Sequence, residues 1–155
     1  MSRMAQPDSN PLEPPPLRAR KRVFLSDDDD DMRALLSHVL ASDGFEVIES
    51  RDGLDTMNRL QDACDGAEGL PDLLILDVLM PHYSGLGVLT ALRQAHWSTP
   101  VIVMTGFAHE SVATRARQLG AVAVFRKPFD VDDLRTAALN ASLGRFRTKP
   151  TLTIL

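Results

Sequence analysis

The sequence predicts an α/β fold in which a doubly wound, five-stranded parallel sheet carries helices on both faces. Two observations indicate this fold class. Five short apolar segments alternate along the chain with five segments of helical periodicity, the order that parallel strands and crossover helices produce. The third, fourth and fifth apolar segments are continuous, as in strands that are buried on both faces.

The predicted strands are apolar runs of four to six residues, each followed by polar or turn-forming residues. They are residues 23–26, 45–50, 72–77, 100–105 and 121–125. Right-handed crossovers between parallel strands make a doubly wound sheet the leading topology. The carboxyl ends of all five strands are therefore expected at one edge of the sheet.

The predicted helices are recognised by apolar residues that recur at helical spacing. These positions are Met32, Leu35, Leu36, Val39 and Leu40; Leu54, Met57 and Leu60; Leu86, Leu89 and Leu92; Val112, Ala116 and Leu119; and Val131, Leu134 and Ala138. Ser84 is a predicted N-cap of the third helix, and Asp130 opens the fifth. Gly44 and Gly120 end the first and fourth helices.

Length and composition indicate one ordinary globular domain. The chain has 155 residues and 44% hydrophobic residues. We expect a disordered proline-rich leader at 1–19, a domain at 20–143 and a C-terminal tail at 144–155. The apolar runs are too short to cross a bilayer. Cys64 is the only cysteine, which excludes an internal disulfide and favours a cytoplasmic location.

Charge is distributed unevenly along the chain. Residues 23–143 carry nine basic and nineteen acidic side chains, whereas the two ends are basic. The net negative charge of residues 23–143 is unfavourable for binding a phosphate backbone, so no direct binding to DNA is expected.

The predicted strands bring chemically active residues to one edge of the sheet. Strand one ends in Asp27 and Asp28, strand three in Asp77, and strand four in Thr105, while strand five leads into Lys127. Glu49 and Ser50 at the end of strand two are not expected to take part in the site. Ligands of such sheets bind beyond the carboxyl ends of the strands, so these side chains are a candidate site.

Three carboxylates in one small site repel one another unless a cation offsets their charge. Mg²⁺ suits this role because it binds one or two carboxylates together with carbonyls, waters and phosphate oxygens. Lys127 and the Thr105 hydroxyl are suited to hold phosphoryl oxygens. An aspartate beside Mg²⁺ can act as the nucleophile and form an aspartyl phosphate.

Four sequence blocks, "SDDDDDMR", "LLILDVLMP" with "SG" at 84–85, "VIVMTG" and "VFRKPF", resemble the signature blocks of response-regulator receiver domains of two-component signalling. The resemblance covers roughly residues 20–142 and implies the flavodoxin-like strand order 2-1-3-4-5. It implies that Asp77 is the phosphoacceptor. Asp28 would bind Mg²⁺ directly, Asp27 would support the ion, often through water, and the backbone carbonyl of Leu79 would be the third protein ligand.

The resemblance also implies the roles of the remaining site residues. Thr105 and Lys127 would contact the phosphoryl oxygens, and the Lys127–Pro128 peptide bond would be cis. The phosphoryl donor would be a sensor histidine kinase or a histidine phosphotransfer protein. Beyond self-catalysed phosphotransfer and slow autodephosphorylation, no enzymatic activity is expected.

The resemblance further indicates how the signal would leave the domain. Phosphorylation would act on the face formed by helix four, strand five and helix five. A stand-alone receiver is expected, so the output would be binding to a downstream protein or onward phosphotransfer. No membrane partner is expected. The resemblance is compatible with a dimer that forms on phosphorylation, and also with a monomer.

The sequence departs from the family pattern at two places. The aromatic residue usual three positions before the lysine is Val124 here, and Phe125, one place later, is expected to belong to the core. The positions two beyond Asp77 and two beyond Thr105 are Leu79 and Phe107, which cannot hydrogen-bond an attacking water. Slow self-dephosphorylation is therefore expected.

Three other protein classes match parts of the sequence. Asp27 and Asp29 match the DxD of haloacid-dehalogenase-type phosphohydrolases, but Asp31 stands where that family needs Thr or Val. Asp27, Asp29 and Asp31 also match an EF-hand, but Met32 and His38 occupy its required Gly and Glu. A receiver that acts independently of phosphorylation would conserve the fold without using the site.

The five aspartates are interpreted as two features. Asp27 and Asp28 close strand one and form the metal-binding pair. Asp29 and Asp30 are expected in the turn, with Asp30 or Asp31 near the helix N-terminus, where negative charge is favourable.

Overall fold

Five parallel strands and five helices alternate along the chain in a computed structural model that describes residues 20–66, 69–80, 83–106 and 110–144. The strands are β1 Arg22–Ser26, β2 Glu46–Ser50, β3 Leu73–Asp77, β4 Val101–Thr105 and β5 Ala123–Arg126. The helices are α1 Asp30–Ser42, α2 Gly53–Asp65, α3 Gly85–Gln94, α4 Glu110–Gln118 and α5 Val131–Ser142. The predicted leader at 1–19 and nearly all of the predicted tail lie outside the described residues.

The strands form one sheet in the order β2-β1-β3-β4-β5, which confirms the predicted topology. All four neighbouring pairs are parallel. The order of the strands reverses between β1 and β3, so this is the point where the crossover helices diverge to opposite faces. The carboxyl ends of β1 and β3 are therefore neighbours at the edge where a ligand site is expected.

The core consists of two layers on opposite faces of the sheet. Successive residues of each strand point to opposite faces, so Leu25 and Ile75 contribute to one layer and Phe24 and Leu76 to the other. Helices α1 and α5 cover the first layer, while α2, α3 and α4 cover the second. The strands β3 and β4 are buried at every position, as their continuous apolar sequences predict. The same prediction is wrong for β5, which lies at the edge of the sheet and has no fully buried residue.

The helix ends are set by local hydrogen bonds, several of them predicted. Ser84 is the N-cap of α3 and accepts from the amide of Gly87, and Asp130 is the N-cap of α5. Gly44 and Gly120 have φ angles of 97° and 83°, a conformation that favours glycine. Each follows a helix end and lets the chain turn toward the next strand.

Two residues of the apolar helical pattern do not join the core, because Leu35 and Leu54 are exposed by 47% and 53%. In α1 the fully buried residues are Leu36 and Leu40, and Arg33 shares their face. Leu35 lies about 100° around the helix from Leu36 and so projects past the contact with the sheet. Among the described residues, no helix is long and apolar enough to span a membrane.

Candidate functional site

Three aspartates converge beyond the carboxyl ends of β1 and β3. Asp27, Asp28 and Asp77 each offer a carboxylate oxygen, and these oxygens lie within 4.8 Å of one another. Asp27 and Asp77 are buried, whereas Asp28 is exposed at the mouth of the cluster. Fifty residues separate Asp27 from Asp77 in sequence, and the parallel pairing of β1 with β3 brings them together.

Lys127 joins the cluster from the segment after β5. Its Nζ donates to Asp27 Oδ2 at 2.9 Å and to Asp77 Oδ2 at 3.1 Å. Burial alone would lower the pKa of Lys127, but the hydrogen bonds to Asp27 and Asp77 and the negative charges of both carboxylates together outweigh it and raise the pKa above its ordinary value. Lys127 is therefore a fixed positive charge between the two buried acids.

Asp77 is an acid in an unfavourable environment for its charge. Burial, followed by the charge of Asp27, raises the pKa of Asp77 to about 6, although Lys127 opposes the shift. The amide of Leu79 donates to Asp77 Oδ1 at 3.2 Å. Gly85 packs so closely on this strand end that a Cβ there would lie 2.2 Å from the Asp77 carbonyl oxygen.

Thr105 ends β4 at the same edge and is buried. Its carbonyl oxygen accepts from the amide of Lys127 at 2.8 Å, which ties the segment after β5 to the end of β4. The Lys127–Pro128 peptide bond is cis, as predicted. Thr105 and Lys127 are thus brought to the carboxyl edge where Asp77 lies.

The aspartate run divides close to the predicted place. Asp27 Oδ1 accepts from the amide of Asp29 at 2.9 Å, which turns the chain away from the strand. Asp29 is the N-cap of α1, and its side chain accepts from the amides of Asp31 and Met32. Asp30 and Asp31 form the acidic first turn of the helix, where the helix dipole favours negative charge.

Arg33 is a feature of this region that the sequence did not indicate. Its side chain is only 10% exposed, and its Nη1 donates to the backbone carbonyl of Asp27 at 2.7 Å. The same guanidinium contacts Asp30 and lies 3.3 Å from Glu49. The one available signal was its spacing, three residues before Leu36 and seven before Leu40, on the buried face.

A buried cluster of three hydroxyls lies next to Asp27 and also was not predicted. Ser26 Oγ lies 2.5 Å from Ser50 Oγ and 2.7 Å from Thr56 Oγ1, and the last two are 2.8 Å apart. The amide of Asp27 donates to the carbonyl of Ser50 at 3.3 Å. Contrary to the expectation from the sequence, the end of β2 therefore contributes to the support of the acidic cluster.

Phe125 packs against the core layer beneath α1 and α5, as expected, and its ring lies 5.5 Å from that of Phe129. Val124 packs on the opposite layer. Phe107, His82 and His109 lie outside the described residues.

The donor set of the cluster fits a small, hard divalent cation. Three carboxylates offset by one ammonium leave a net negative pocket, and carboxylate oxygens are the ligands that Mg²⁺ prefers. The exposed side of Asp28 leaves a route for the cation and its waters. The pocket is therefore suited to hold Mg²⁺ together with an anionic group.

Comparison with protein families gives one model that covers most of the chain. The model described as "Response regulator receiver domain" matches residues 23–139. Each residue of the acidic cluster, Lys127 and Thr105 falls within this range.

Individual relatives agree with the family model. The chain is 38% identical over 124 residues to the transcriptional regulatory protein CpxR of Escherichia coli K12, which covers 80% of this chain and 50% of CpxR. It is 27% identical to the sporulation initiation phosphotransferase F of Bacillus subtilis, over 76% of this chain and 90% of that protein. The chain thus spans only half the length of CpxR.

A solved structure gives the same fold. A response regulator receiver domain protein from Clostridium thermocellum superposes with a TM-score of 0.72 at 26% identity, covering 81% of this chain and 96% of that one. The strand order and the helix placement described above are those of this structural group.

Proposed function

The chain belongs to the response regulator receiver domain family of two-component signalling, and within it we propose that Asp77 is the phosphoacceptor of a Mg²⁺-dependent phosphotransfer. The observation that carries the proposal is the convergence of Asp27, Asp28 and Asp77 around the Nζ of Lys127. The donor is a sensor histidine kinase or a histidine phosphotransfer protein.

The proposed metal ligands are the carboxylates of Asp28 and Asp77 and the backbone carbonyl of Leu79, with Asp27 supporting the ion. When bound, Mg²⁺ supplies positive charge that offsets the repulsion between the acids and the incoming phosphoryl oxygens. The support for this set is the mutual distance of the three carboxylates and the exposure of Asp28.

In the proposed transfer, a carboxylate oxygen of Asp77 attacks the phosphorus of a phosphohistidine. The new P–O bond forms as the P–N bond breaks, and the bonding pair leaves with the imidazole nitrogen, which takes a proton from solvent. Asp77 must be ionised to attack, and its raised pKa of about 6 means that the carboxylate form predominates only above that pH. Lys127 favours the ionised form through its hydrogen bond to Oδ2.

After transfer, the pocket holds more negative charge that positive groups must balance. The phosphoryl group brings additional anionic oxygens, and Lys127 is the cation already present to receive one of them. The Thr105 hydroxyl is proposed to contact another. Because the Lys127 amide is bonded to the Thr105 carbonyl, movement of either residue is transmitted to the end of β4 and the segment after β5.

We propose that the protein acts as a stoichiometric phosphoacceptor and not as a phosphatase with turnover. The phosphorylated state would alter the face formed by α4, β5 and α5 and thereby its binding to a downstream protein, or the phosphate would pass onward. The acidic balance of residues 23–143 supports a protein partner and not DNA as the ligand of this domain.

The decisive test is chemical phosphorylation with a small phosphoramidate or acyl phosphate donor, followed by intact-mass measurement. The wild type should gain one phosphoryl group when Mg²⁺ is present and none in EDTA. Asp77→Asn should gain none, because an amide is not a nucleophile under these conditions. Asp28→Ala should also lose phosphorylation, whereas Asp31→Ala, in the first turn of α1, should keep it.

Asp72→Asn is a matched control, because Asp72 lies just before β3, at the opposite end of the strand that carries Asp77. Its phosphorylation should equal that of the wild type. Phosphorylation of Asp77→Asn at the wild-type level would refute the assignment of the acceptor. Sustained turnover of the donor would instead favour a phosphohydrolase.

The output is tested by affinity capture. Wild type, beryllofluoride-treated wild type and Asp77→Asn are compared for the proteins that they retain. A partner that distinguishes the treated protein from Asp77→Asn supports phosphorylation-dependent output. Equal capture by all three would favour a receiver that acts independently of phosphorylation.

A further inference from the structure

The Arg33 guanidinium connects three parts of the chain around the acidic pocket. It donates to the carbonyl of Asp27, the residue that follows β1, contacts Asp30 in the first turn of α1, and pairs with Glu49 of β2. Its own side chain is 10% exposed, while those of Asp30 and Glu49 are 77% and 45% exposed. The buried end of this network is thus the bond to the Asp27 carbonyl.

The Asp27 carbonyl belongs to the peptide group that leads to Asp28. A peptide group is planar, so its carbonyl direction also determines the direction of the following N–Cα bond. Rotation of this peptide would move Asp28, whose carboxylate lies at the mouth of the pocket. Asp27 is held separately, through its side chain, by Lys127 and the Asp29 amide.

From this geometry we propose that Arg33 is a positioning residue for the metal pocket, holding the Asp27–Asp28 peptide so that Asp28 faces Asp77 before a cation binds. The inference rests on the proposed Mg²⁺ site. Without a bound cation, the like charges of the three aspartates repel one another and favour an Asp28 turned outward. A peptide fixed in advance lowers the cost of gathering the ligands when the cation arrives.

The chemistry of arginine suits this role. The guanidinium is a rigid, planar fork that stays charged and can bond a carbonyl and two carboxylates at once. A lysine ammonium at this position keeps the charge but is a single point on a flexible stem. The geometry of the fork, and not its charge alone, is therefore the property that the proposal requires.

Charge and geometry predict opposite effects on Mg²⁺ affinity. If Arg33 acted only as a nearby positive charge, its removal would strengthen cation binding by relieving repulsion. If it positions the peptide, its removal weakens binding, in the range of roughly tenfold that is usual when support behind a metal ligand is lost. The sign of the change distinguishes the two roles.

The experiment measures Mg²⁺ binding to the unphosphorylated 155-residue chain by titration calorimetry, with unfolding by urea measured in parallel. Arg33→Gln and Arg33→Lys should both bind Mg²⁺ roughly tenfold more weakly than the wild type. Arg135→Gln and Arg135→Lys are matched controls, because Arg135 also bonds two carboxylates, Asp43 and Asp132. These controls should stay within twofold of the wild type.

Affinity of Arg33→Gln equal to or higher than that of the wild type overturns the proposal. If Arg33→Gln does not fold, Arg33→Lys decides, and an affinity within twofold of the wild type overturns it. A wild type that does not bind Mg²⁺, or that binds it equally well as Asp28→Ala, also overturns it. A wild type that binds Mg²⁺ but accepts no phosphoryl group refutes only the proposed function.

Discussion

Helices α1 and α4 both follow strands that end at the acidic pocket, yet they are attached to the sheet very differently. Helix α1 begins at a side-chain N-cap, buries Leu36 and Leu40 completely, and places Arg33 beneath the loop that carries the aspartates. Helix α4 is nine residues long, and its buried residues are Ala113 and Ala116. A buried leucine contributes about 1.5–3 kcal/mol, whereas a single methyl group contributes less than about 1 kcal/mol.

The difference separates two requirements of a signalling domain. The side of the pocket that gathers like charges must be fixed, because each acid would otherwise turn outward. The side that reports to a partner must be free to change at low cost, and elements with little buried apolar surface meet this requirement. Helix α1 has the firm attachment that the first requirement needs, and the buried residues of α4 are two alanines, in line with the second requirement.

The largest expected effect tests the attachment of the two helices directly. Leu40→Ala should lower the free energy of unfolding by about 3 kcal/mol, through lost burial and the cavity left behind. Ala116→Gly in α4 should cost about 1 kcal/mol, mainly through helix propensity. Urea unfolding measures both values. Equal costs for the two substitutions would contradict the comparison.

The second effect concerns the residues two positions after Asp77 and two positions after Thr105 in the sequence. Leu79 is 54% exposed beside Asp77, and Phe107 follows β4 outside the described residues. Leu79→Asn together with Phe107→Glu should shorten the lifetime of the phosphorylated state roughly tenfold, or ~1.4 kcal/mol of barrier, by orienting an attacking water. The decay is followed by intact mass in Mg²⁺ after removal of the donor.

Leu139→Asn is the control for this experiment, because Leu139 is an exposed leucine of α5 away from the strand ends. Its phosphorylated lifetime should match that of the wild type. An unchanged lifetime in the double variant would show that Leu79 and Phe107 do not shield the phosphoryl group.

The third effect is a dependence of stability on pH that arises at Asp77. Its pKa is raised to about 6, so without Mg²⁺ the wild type should lose stability as pH rises from about 4 to about 6. Asp77→Asn lacks this charge and should be more stable than the wild type at pH 7, by about 1 kcal/mol after screening by solvent. The two should converge near pH 4, as measured by urea unfolding in EDTA.

Asp43, the C-cap of α1, supplies the comparison of opposite sign. Hydrogen bonds from Arg135 at 2.8 and 2.6 Å hold the pKa of this carboxyl below its usual range. The stability that the Asp43 carboxylate contributes to the folded protein is therefore fully present above about pH 4 and is lost as pH falls further. Asp43→Asn should destabilise the protein at pH 7 and approach the wild type in acid. A stabilised Asp43→Asn at pH 7 would contradict this assignment.

Much of the site could be predicted because parallel strands fix its position. Once the strands were located, Asp27, Asp77 and Lys127 had to meet, since each follows a strand end at the same edge of one sheet. Thr105 followed from the same rule. The sequence blocks around these residues then indicated the family.

The supporting residues could not be predicted in the same way. Burial of Arg33 depends on how far α1 is rotated on the sheet, and the same rotation exposes Leu35. The Ser26, Ser50 and Thr56 cluster depends on where α2 docks, and small hydroxyl residues carry no periodic signal. The strand pattern therefore predicts which residues come together in the site. The residues that support them depend on how the helices pack on the sheet, which the strand pattern does not give.

The smallest expected effect lies on the α4 side, in the ion pair between Glu110 and Arg126. It joins the first residue of α4 to the last residue of β5, but its side chains are 73% and 46% exposed. An exposed pair contributes less than about 1 kcal/mol and is screened by salt. Arg126→Gln should therefore change the free energy of unfolding only slightly at low salt and not at all in 1 M NaCl, a condition set for screening. A large, salt-independent loss would show that α4 is held as firmly as α1, and the pocket would then have no lightly attached side through which to signal.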